Sequence, residues 1–281
     1  MSNLMLIYLH WQSRVMNLCD KKVSKIGFGT WKIGGGYWSA DRTRDPQWIE
    51  LLRYVYDRGI NLFDTAEMYG GGHTEELVGQ ALKDYDEEEF TIITKVWNNH
   101  LSYDDVIKSA KASLRRLNVK LIDLYLIHWP SPSVPLRETI RAMEKLVDDG
   151  VVRCIGVSNF DVTLVQEAME VSSRYQIEAN EIEYSYVHRE PEAQLIPFLE
   201  RNNIKVIAYS PLGRGEISRD ARLAEVAKRY GVTPIQVGLN YVARRAIPIP
   251  KASTKAHVDE LAKVLEWDLK EEDYLHLSSS S

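Results

Sequence analysis

Short apolar runs alternate with longer amphipathic segments along most of this 281-residue chain. Eight of the apolar runs predict β-strands, and each is followed by a helical pattern or by a loop that leads to one. The predicted strands cover residues 25–29, 60–64, 90–96, 122–128, 152–157, 177–183, 205–209 and 246–250. Because a helix returns the chain to the same end of the sheet after each strand, this alternation predicts a parallel sheet.

Boundary residues support the predicted helices. Asp45 and Pro46 predict an N-cap and a first-turn proline ahead of apolar residues at helical spacing. Thr233, three residues before Gln236, predicts another helix start of this kind. The helices therefore fall between the predicted strands, as a parallel sheet requires.

Eight strand–helix units favour an α/β fold that closes into a (β/α)8 TIM barrel. The alternative is an open, doubly wound sheet. Its dinucleotide-binding glycine pattern is absent, because Lys32 stands where a third glycine would follow Gly27 and Gly29. We predict a single domain over residues 16–277. Residues 1–15 are predicted to form an N-terminal extension of uncertain structure, and residues 278–281 a disordered tail.

The composition excludes several classes of function. The hydrophobic fraction of 44% can fill a large core. A net charge of −5 argues against nucleic-acid and anionic-membrane binding, and no apolar run reaches the roughly 18 residues of a membrane span. Cys19 and Cys154, the only cysteines, are far apart in the sequence. We expect them to form neither a disulfide framework nor a zinc site, which favours a reducing cytoplasm.

Ionisable side chains stand at the ends of three predicted strands. Asp64 ends the second strand with Tyr69 five residues beyond it, Lys95 lies near the end of the third, and His128 ends the fourth. The carboxyl ends of parallel barrel strands meet at one face, so these four side chains are predicted to converge. Buried lysine needs a partner, and Asp64 on the neighbouring strand is the candidate.

Together these four side chains have the chemistry of a carbonyl-reducing site. The Lys95 cation is expected to lower the pKa of Tyr69, while Asp64 holds Lys95 charged. Tyr69 would act as a general acid toward a carbonyl oxygen, to which His128 donates a hydrogen bond. Such a site supplies no electrons, so a hydride carrier is required. The residues alone also allow a barrel-end salt bridge, a loop tyrosine and a core histidine.

Seven segments resemble the aldo-keto reductase family over nearly the whole chain after Met16. They are GFGTW (27–31), DTAEMYG (64–70), TKVW (94–97), IHWP (127–130), GVSNF (156–160), AYSPLG (208–213) and IPK (249–251). The resemblance implies a (β/α)8 barrel, an NAD(P)H cofactor and reversible reduction of aldehydes or ketones. It also implies that Tyr69 is the proton donor and that Asp64, Lys95 and His128 complete the catalytic tetrad.

The resemblance also implies where the cofactor binds. Ser158 and Asn159 would hold the nicotinamide carboxamide, and Tyr209 would stack on the nicotinamide ring. From the residues alone, the first two predict a helix N-cap, which is compatible with a cofactor role, and the tyrosine predicts a core aromatic. Further implied contacts are Ser210, Leu212 and Gly213 at the pyrophosphate, and Lys251, Ser253, Thr254, His257 and Glu260 at the adenosine end. From the residues alone, the last group also allows a solvated helix start with an ordinary cap.

Two positions depart from the family pattern. Glu181 stands where many relatives have glutamine. An ionised carboxylate cannot donate to the carboxamide oxygen, so we hypothesise that Glu181 is protonated or weakens nicotinamide binding. His257 stands where many NADPH-preferring relatives have arginine, and it lacks the fixed guanidinium fork. Because Lys251 is present, NADPH is the predicted cofactor, with NADH possible and a modest margin between them.

The substrate side is predicted to be aromatic. By resemblance, Trp31 and Trp97 line the substrate pocket, and Tyr37 with Trp38 could add a flexible flap. Indoles beside a polar, oxygen-binding end suit small aldehydes and ketones. The short sequence after Trp267 predicts an open pocket with broad specificity. We expect a monomer or a weak oligomer.

Three other functions are weighed against carbonyl reduction. A barrel aldolase or isomerase could use Lys95 as a Schiff-base nucleophile, but Asp64 would keep that lysine charged. A metal site is not predicted, because the histidines lack ligand spacing. The non-enzymatic alternative is an NADPH-binding regulatory or sensor barrel with little turnover.

Overall fold

The computed structural model describes residues 15–279, in which eight parallel strands form a barrel surrounded by helices. Each strand coincides with one predicted from the sequence, and the (β/α)8 fold is confirmed. A two-stranded hairpin, β1 (Val15–Leu18) and β2 (Lys21–Ser24), precedes the barrel. The barrel strands are β3 (Phe28–Gly29), β4 (Leu62–Asp64), β5 (Thr91–Val96), β6 (Ile122–Ile127), β7 (Val152–Ser158), β8 (Ile177–Glu183), β9 (Lys205–Tyr209) and β10 (Ile247–Pro248).

Amphipathic helices connect these strands and cover the outside of the barrel. They are α1 (Asp45–Asp57), α2 (His73–Leu82), α3 (Tyr103–Leu117), α4 (Leu136–Asp148), α5 (Val162–Val171), α6 (Leu195–Arg201), α7 (Ala221–Tyr230), α8 (Pro234–Val242), α9 (Lys255–Ala262) and α10 (Glu271–Ser278). Short 3-10 turns occur at Gly70–Gly72, Glu190–Glu192, Gly213–Arg219 and Lys263–Glu266.

The helix starts follow the sequence prediction with one correction. Thr233 caps α8 in a capping box with Gln236, as two reciprocal hydrogen bonds of 3.3 and 3.1 Å show. Asp45, expected at the N-cap of α1, is instead its first helical residue. Arg44 occupies the cap position, and its side chain makes no capping hydrogen bond. The Arg44 side chain therefore makes no hydrogen bond to the start of α1.

Backbone hydrogen bonds close the barrel between its first and last strands. The amide of Gly27 donates to the carbonyl of Pro248 at 2.9 Å, and that of Gly29 donates to Pro250 at 3.0 Å. A Cβ atom on Gly29 would lie 2.7 Å from the carbonyl oxygen of Ile249. Glycine is required there because the two chain segments approach each other too closely for a side chain.

The hairpin, which was not predicted, covers the amino-terminal end of the barrel. Lys21 fastens it, since its Nζ donates to Asp123 Oδ1 at 3.0 Å and to the carbonyl of Glu87 at 2.6 Å. Two of its apolar side chains, Leu18 and Val23, join the barrel interior. The interior side chains that they meet are Leu62, Ile93, Leu124, Leu126, Ala179, Ile207 and Ile247.

Cys19 and Cys154 form a disulfide between the hairpin turn and β7, with Cα atoms 5.8 Å apart. The sequence argued only against a disulfide framework, and this single crosslink was not expected from it. The two cysteines are 135 residues apart in the sequence, and only the placement of the hairpin beneath β7 brings them together. The disulfide therefore links the hairpin covalently to the barrel strand β7.

We expect Cys19→Ser to lower the free energy of unfolding by about 2–5 kcal/mol, because the disulfide restricts a long loop in the unfolded chain. For a domain of this size the melting temperature should fall by roughly 5–15 °C. Calorimetry with and without reductant measures the shift, and thiol titration of the denatured protein checks the bond. Two free thiols in unreduced protein would contradict the crosslink.

The chain ends depart slightly from the predicted boundaries. Val15, assigned to the extension, begins β1, and residues 1–14 lie outside the described residues. Ser278, assigned to the tail, ends α10, and its carbonyl accepts a hydrogen bond of 3.0 Å from Arg189. Residues 280–281 also lie outside the described range. Between residues 15 and 279, no helix is long and apolar enough to cross a membrane.

Candidate active site

The four predicted catalytic side chains converge at the carboxyl end of the barrel. The Nζ of Lys95 donates hydrogen bonds to Asp64 Oδ1 and, at 2.9 Å, to the carbonyl of Thr65. This Nζ lies 5.4 Å from the centroid of the Tyr69 ring, and the Tyr69 and His128 ring centroids are 5.8 Å apart. All four side chains are buried. The barrel thus assembles one compact site from three strands and a loop.

A tight turn after β4 fixes the position of Tyr69. Its amide donates to the carbonyl of Ala66 at 3.1 Å, and the Gly70–Gly72 segment that follows has positive φ at every residue. The amide of Gly70 also donates to Gly36 at 2.7 Å, which joins this turn to the loop after β3. Because three consecutive glycines tolerate left-handed backbone, the chain can turn here directly after the tyrosine.

Lys95 is shared between two carboxyl groups, Asp64 and Glu181. Glu181 Oε2 lies 3.4 Å from the Lys95 Nζ, and within the described residues it has no hydrogen-bond partner. Burial opposes the charge of Lys95, but the two nearby carboxyls outweigh burial and raise its pKa. This lysine is therefore an ammonium, which disfavours the Schiff-base alternative.

One ammonium cannot balance two buried carboxylates, so the cluster favours retention of one proton. Burial and then the charge of Asp64 raise the pKa of Glu181 well above its usual range. Burial also raises the pKa of Asp64, although the adjacent Lys95 opposes this shift. Since Asp64 is the closer partner of Lys95, we assign the proton to Glu181 and the negative charge to Asp64.

The pKa of Tyr69 differs from the expectation. Burial raises it above the usual tyrosine value, and the opposing effect of Lys95 is smaller. The expected net lowering is therefore wrong for the protein without bound molecules. The physical reason is that enclosure by aromatic and apolar groups disfavours the phenolate more than one cation stabilises it. Tyr69 is protonated, as a proton donor must be.

His128 is neutral in this environment. Burial, followed by the positive charge of Lys95, lowers its pKa to about 2. Its Nδ1 atom is buried and has no hydrogen-bond partner in the part of the chain described. Its ring packs edge-on against Trp97, with centroids 5.0 Å apart. A neutral imidazole can still donate one hydrogen bond to an oxygen atom in the adjoining cavity.

Asp64, Tyr69 and His128 line a cavity of about 400 Å³, whereas Lys95 and the predicted substrate residue Trp97 do not. The cavity brings together predicted catalytic, cofactor and substrate residues. It adds seven that were not predicted as site residues: Gly29, Met68, Trp129, Pro211, Arg214, Ile249 and Pro250. Trp129 follows His128 directly and could have been proposed from that position. The predicted residues that line the cavity are Trp31, Asp64, Tyr69, His128, Ser158, Asn159, Glu181, Tyr209, Ser210, Leu212 and Lys251.

Residues 25–280 match the model of the Aldo/keto reductase family. The chain belongs to the aldo/keto reductase family. It is 36% identical over 257 residues to "Methylglyoxal reductase YeaE" of Escherichia coli (strain K12), an alignment that covers 89% of this chain and 88% of that protein. It is 34% identical over 218 residues to the "NADH-specific methylglyoxal reductase" of the same organism, covering 70% and 66% of the two chains.

Solved structures agree with this assignment. A thermostable aldo-keto reductase, Tm1743, in complex with the inhibitor epalrestat is 40% identical, with a TM-score of 0.89 and coverage of 94% of this chain and 98% of that one. An aldo/keto reductase from Klebsiella pneumoniae in complex with NADP and acetate is 31% identical, with a TM-score of 0.84 and coverage of 94% of both. The family resemblance inferred from the sequence motifs is confirmed.

In this aldo/keto reductase, the predicted carboxamide residues are joined by hydrogen bonds. Asn159 donates from Nδ2 to the carbonyl of His128 at 3.0 Å, and its Oδ1 accepts from the Tyr209 hydroxyl at 2.8 Å. Ser158 donates to the carbonyl of Glu181 at 3.0 Å. The N-cap alternative for Ser158 and Asn159 is wrong, because Asp161 caps α5. Both residues line the cavity.

The predicted adenosine-end residues lie outside the cavity, with the exception of Lys251. Thr254 caps α9 by accepting from the amide of His257 at 3.3 Å, and the helix begins at Lys255 as predicted. Ser253 and His257 are exposed, and the carbonyl of Glu260 accepts a hydrogen bond of 2.9 Å from Gln236. Gly213 also does not line the cavity. Apart from Lys251, these residues form a separate outer region around the start of α9.

Aromatic rings of this reductase surround the mouth of the site. The centroid of Trp31 lies 4.9 Å from that of Tyr69. Trp97 contacts Tyr37 and Trp38 edge-on, with centroid distances of 5.5 and 6.5 Å. Tyr37 is 60% exposed and Trp38 is 39% exposed, so these two rings extend the aromatic surface outward from the buried tetrad.

Proposed function

We propose that this protein reduces small aldehydes and ketones to alcohols with NADPH, and that Tyr69 is the general acid. The supporting observation is the buried Asp64–Lys95–Tyr69 group beside a neutral His128 at the wall of one cavity. The Escherichia coli relatives named as methylglyoxal reductases make methylglyoxal the first substrate to test.

The residues present fit a nicotinamide cofactor. Glu181 presents a buried carboxyl oxygen that pairs with Lys95 at 3.4 Å but has no hydrogen-bond partner among the described residues, and Glu181 lines the same cavity as Asn159 and Lys251. We propose that Ser158, Asn159 and Glu181 hold the carboxamide. Tyr209 would stack on the nicotinamide ring, and the pyrophosphate would contact Ser210, Leu212 and Gly213. The residues proposed to hold the adenosine end are Lys251, Ser253, Thr254, His257 and Glu260. When bound, the cofactor supplies the hydride.

Side chains of this protein then transfer the proton and stabilise the negative charge on the carbonyl oxygen. Tyr69 gives its proton to the carbonyl oxygen, and His128 donates a hydrogen bond to that oxygen as negative charge develops. Lys95 stabilises the tyrosinate that remains, while Asp64 keeps Lys95 charged and in place. A proton taken up from solvent restores Tyr69 for the next turnover.

Broad specificity is proposed from the shape of the site. No residue of α10, the last helix, lines the cavity, and the lining is mainly aromatic and aliphatic. We propose that Trp31 and Trp97 contact the substrate and that Trp129 does so as well. The protein is proposed to act as a monomer or weak oligomer in a cytoplasm, although the Cys19–Cys154 disulfide removes the cysteine-based argument for a reducing compartment.

The test is NADPH oxidation on addition of methylglyoxal or an aromatic aldehyde, repeated with NADH. The proposal predicts oxidation with several aldehydes and a higher kcat/KM with NADPH. A sharp preference for one aldehyde would contradict broad specificity. NADPH that binds but is not oxidised by any carbonyl compound would favour the sensor alternative.

Glu181→Gln tests the protonated carboxyl. Glu181 can donate a hydrogen bond to the carboxamide oxygen only while it is protonated. It loses this proton as the pH rises through its raised folded-state pKa. Wild-type affinity for NADH should therefore fall with rising pH, whereas the glutamine variant should bind with little pH dependence between about pH 6 and 9. NADH is used because it lacks the titrating 2′-phosphate. Fluorescence titration measures the affinity.

The matched control is Glu178→Gln, on the same strand at the other end of the barrel, where the carboxylate accepts from the amide of Cys19. It should retain the wild-type pH dependence. If Glu181→Gln and wild type show the same pH dependence, Glu181 does not hold the proton that the carboxamide requires.

A further inference from the structure

Two cations lie over one tryptophan at the edge of the proposed cofactor site, and a third cation lies close enough to one of them to affect its charge. The guanidinium carbon of Arg44 lies 4.5 Å from the centroid of the Trp48 ring, and the Nζ of Lys251 lies 5.6 Å from it. Lys32 is the third cation. Burial, followed by the charges of Lys32 and Arg44, lowers the pKa of Lys251. Positive charge is therefore concentrated here, which is costly unless an anion binds.

No carboxylate within residues 15–279 pairs with Lys32, Arg44 or Lys251. Hydrogen bonds from Thr43 and, to a smaller extent, the charge of Arg44 lower the pKa of Asp41. Asp41 accepts its hydrogen bonds from the amide and hydroxyl of Thr43, at 3.0 and 2.6 Å, and makes none with Arg44. Neighbouring cations behave differently, because each has its own acidic partner: Arg53 pairs with Asp84, Arg58 with Asp259 and Lys255 with Glu50.

Helix packing places Arg44 beside the start of α9. Three contacts join α1 and the residue that follows it to α9: Lys255 with Glu50, the Tyr54 hydroxyl with Asp259, and Arg58 with Asp259. Their order along both helices shows that α1 and α9 run in the same direction. Arg44, which immediately precedes α1, is therefore at the same end as Ser253 and Thr254, which immediately precede α9.

We propose that Arg44 supplies the guanidinium that binds the 2′-phosphate of NADPH, in the place of an arginine on α9. This inference rests on the proposed function. His257 stands on α9 and is exposed, and it offers no planar fork of donors. Arg44 offers that fork on a neighbouring element. Its contact with Trp48 restricts its side chain, so less conformational freedom is lost on binding.

Arg44→Ala should weaken NADPH binding about 10- to 100-fold, as expected for loss of charged hydrogen bonds to a phosphate, and leave NADH binding within twofold of wild type. Arg44→Lys should recover part of the loss, because it restores charge but not the fork. Affinities are measured by calorimetric titration at low salt, which requires no turnover. Equal melting temperatures would show that the variants are folded.

Arg53→Ala is the matched control, since Arg53 is a paired arginine on α1 that faces α2, and it should bind both cofactors as wild type does. The inference is overturned if Arg44→Ala binds NADPH within twofold of wild type, or if it loses NADPH and NADH equally. Wild type that binds neither cofactor would overturn the proposed function itself, and the inference with it.

Discussion

Tyr69→Phe is expected to lower kcat for aldehyde reduction by about 10²–10⁴-fold, because the variant lacks the group that protonates the carbonyl oxygen. The phenyl ring preserves the contact with Trp31, and Lys95 remains paired with Asp64. NADPH affinity and the melting temperature should therefore change little. This separation of turnover from binding is what distinguishes a proton donor from a residue that only shapes the cavity.

Stopped-flow measurement of NADPH oxidation provides the rate, and fluorescence titration provides the affinity. Tyr56→Phe is the control, because the Tyr56 hydroxyl bonds Glu89 on the outside of the barrel. It should turn over as wild type does. A Tyr69→Phe variant that retains more than about a tenth of wild-type kcat would exclude the tyrosine as the main proton donor.

Lys95→Met is expected to have the largest effect on stability. It removes the ammonium from a fully buried cluster and leaves Asp64 and Glu181 facing each other. Breaking a buried ion pair in this way costs about 3–5 kcal/mol in the free energy of unfolding. Activity should be lost as well, because nothing then stabilises the tyrosinate of Tyr69.

The loss of stability in Lys95→Met should grow as the pH rises. Both carboxyls already have raised pKa values when Lys95 is present, and its removal raises them further. A carboxyl with a raised folded-state pKa favours the folded state below its unfolded pKa, and this contribution is lost as the pH rises through the folded value. Denaturant unfolding at about pH 5 and pH 8 measures the difference.

Two further variants sharpen this test. Lys145→Met, which removes an exposed ion pair with Asp149, should be close to wild type at both pH values. Adding Asp64→Asn to Lys95→Met should recover part of the stability without recovering activity, because it removes one of the unpaired charges. If Lys95→Met is as stable as wild type at the higher pH, the charge balance described for this cluster is incorrect.

The fold could be predicted from the sequence because each barrel strand is a short apolar run with a helix pattern after it. The convergence of Asp64, Lys95 and His128 followed from topology, since every parallel strand ends at the same face. The hairpin could not be predicted in this way. Its two strands have only four residues each, and residues of the barrel base determine its position.

The remaining errors concern quantities that depend on three-dimensional surroundings. The sequence correctly predicted that Lys95 lowers the pKa of Tyr69. It could not predict that burial raises this pKa by more. The proximity of Cys19 to Cys154 depends on the hairpin. The place of Arg44 beside Lys251 depends on the packing of α1 against α9. Each is a result of contacts between segments distant in the chain.

The most direct test of the central claim follows the hydride. Wild-type protein is incubated with NADPH carrying deuterium at both C4 positions and with methylglyoxal or an aromatic aldehyde, and the product is analysed by mass spectrometry and NMR. Carbonyl reduction predicts an alcohol with one deuterium on the former carbonyl carbon, formed in equal amount to the NADPH oxidised. An alcohol without deuterium, or no alcohol although NADPH binds, would contradict the proposed reaction.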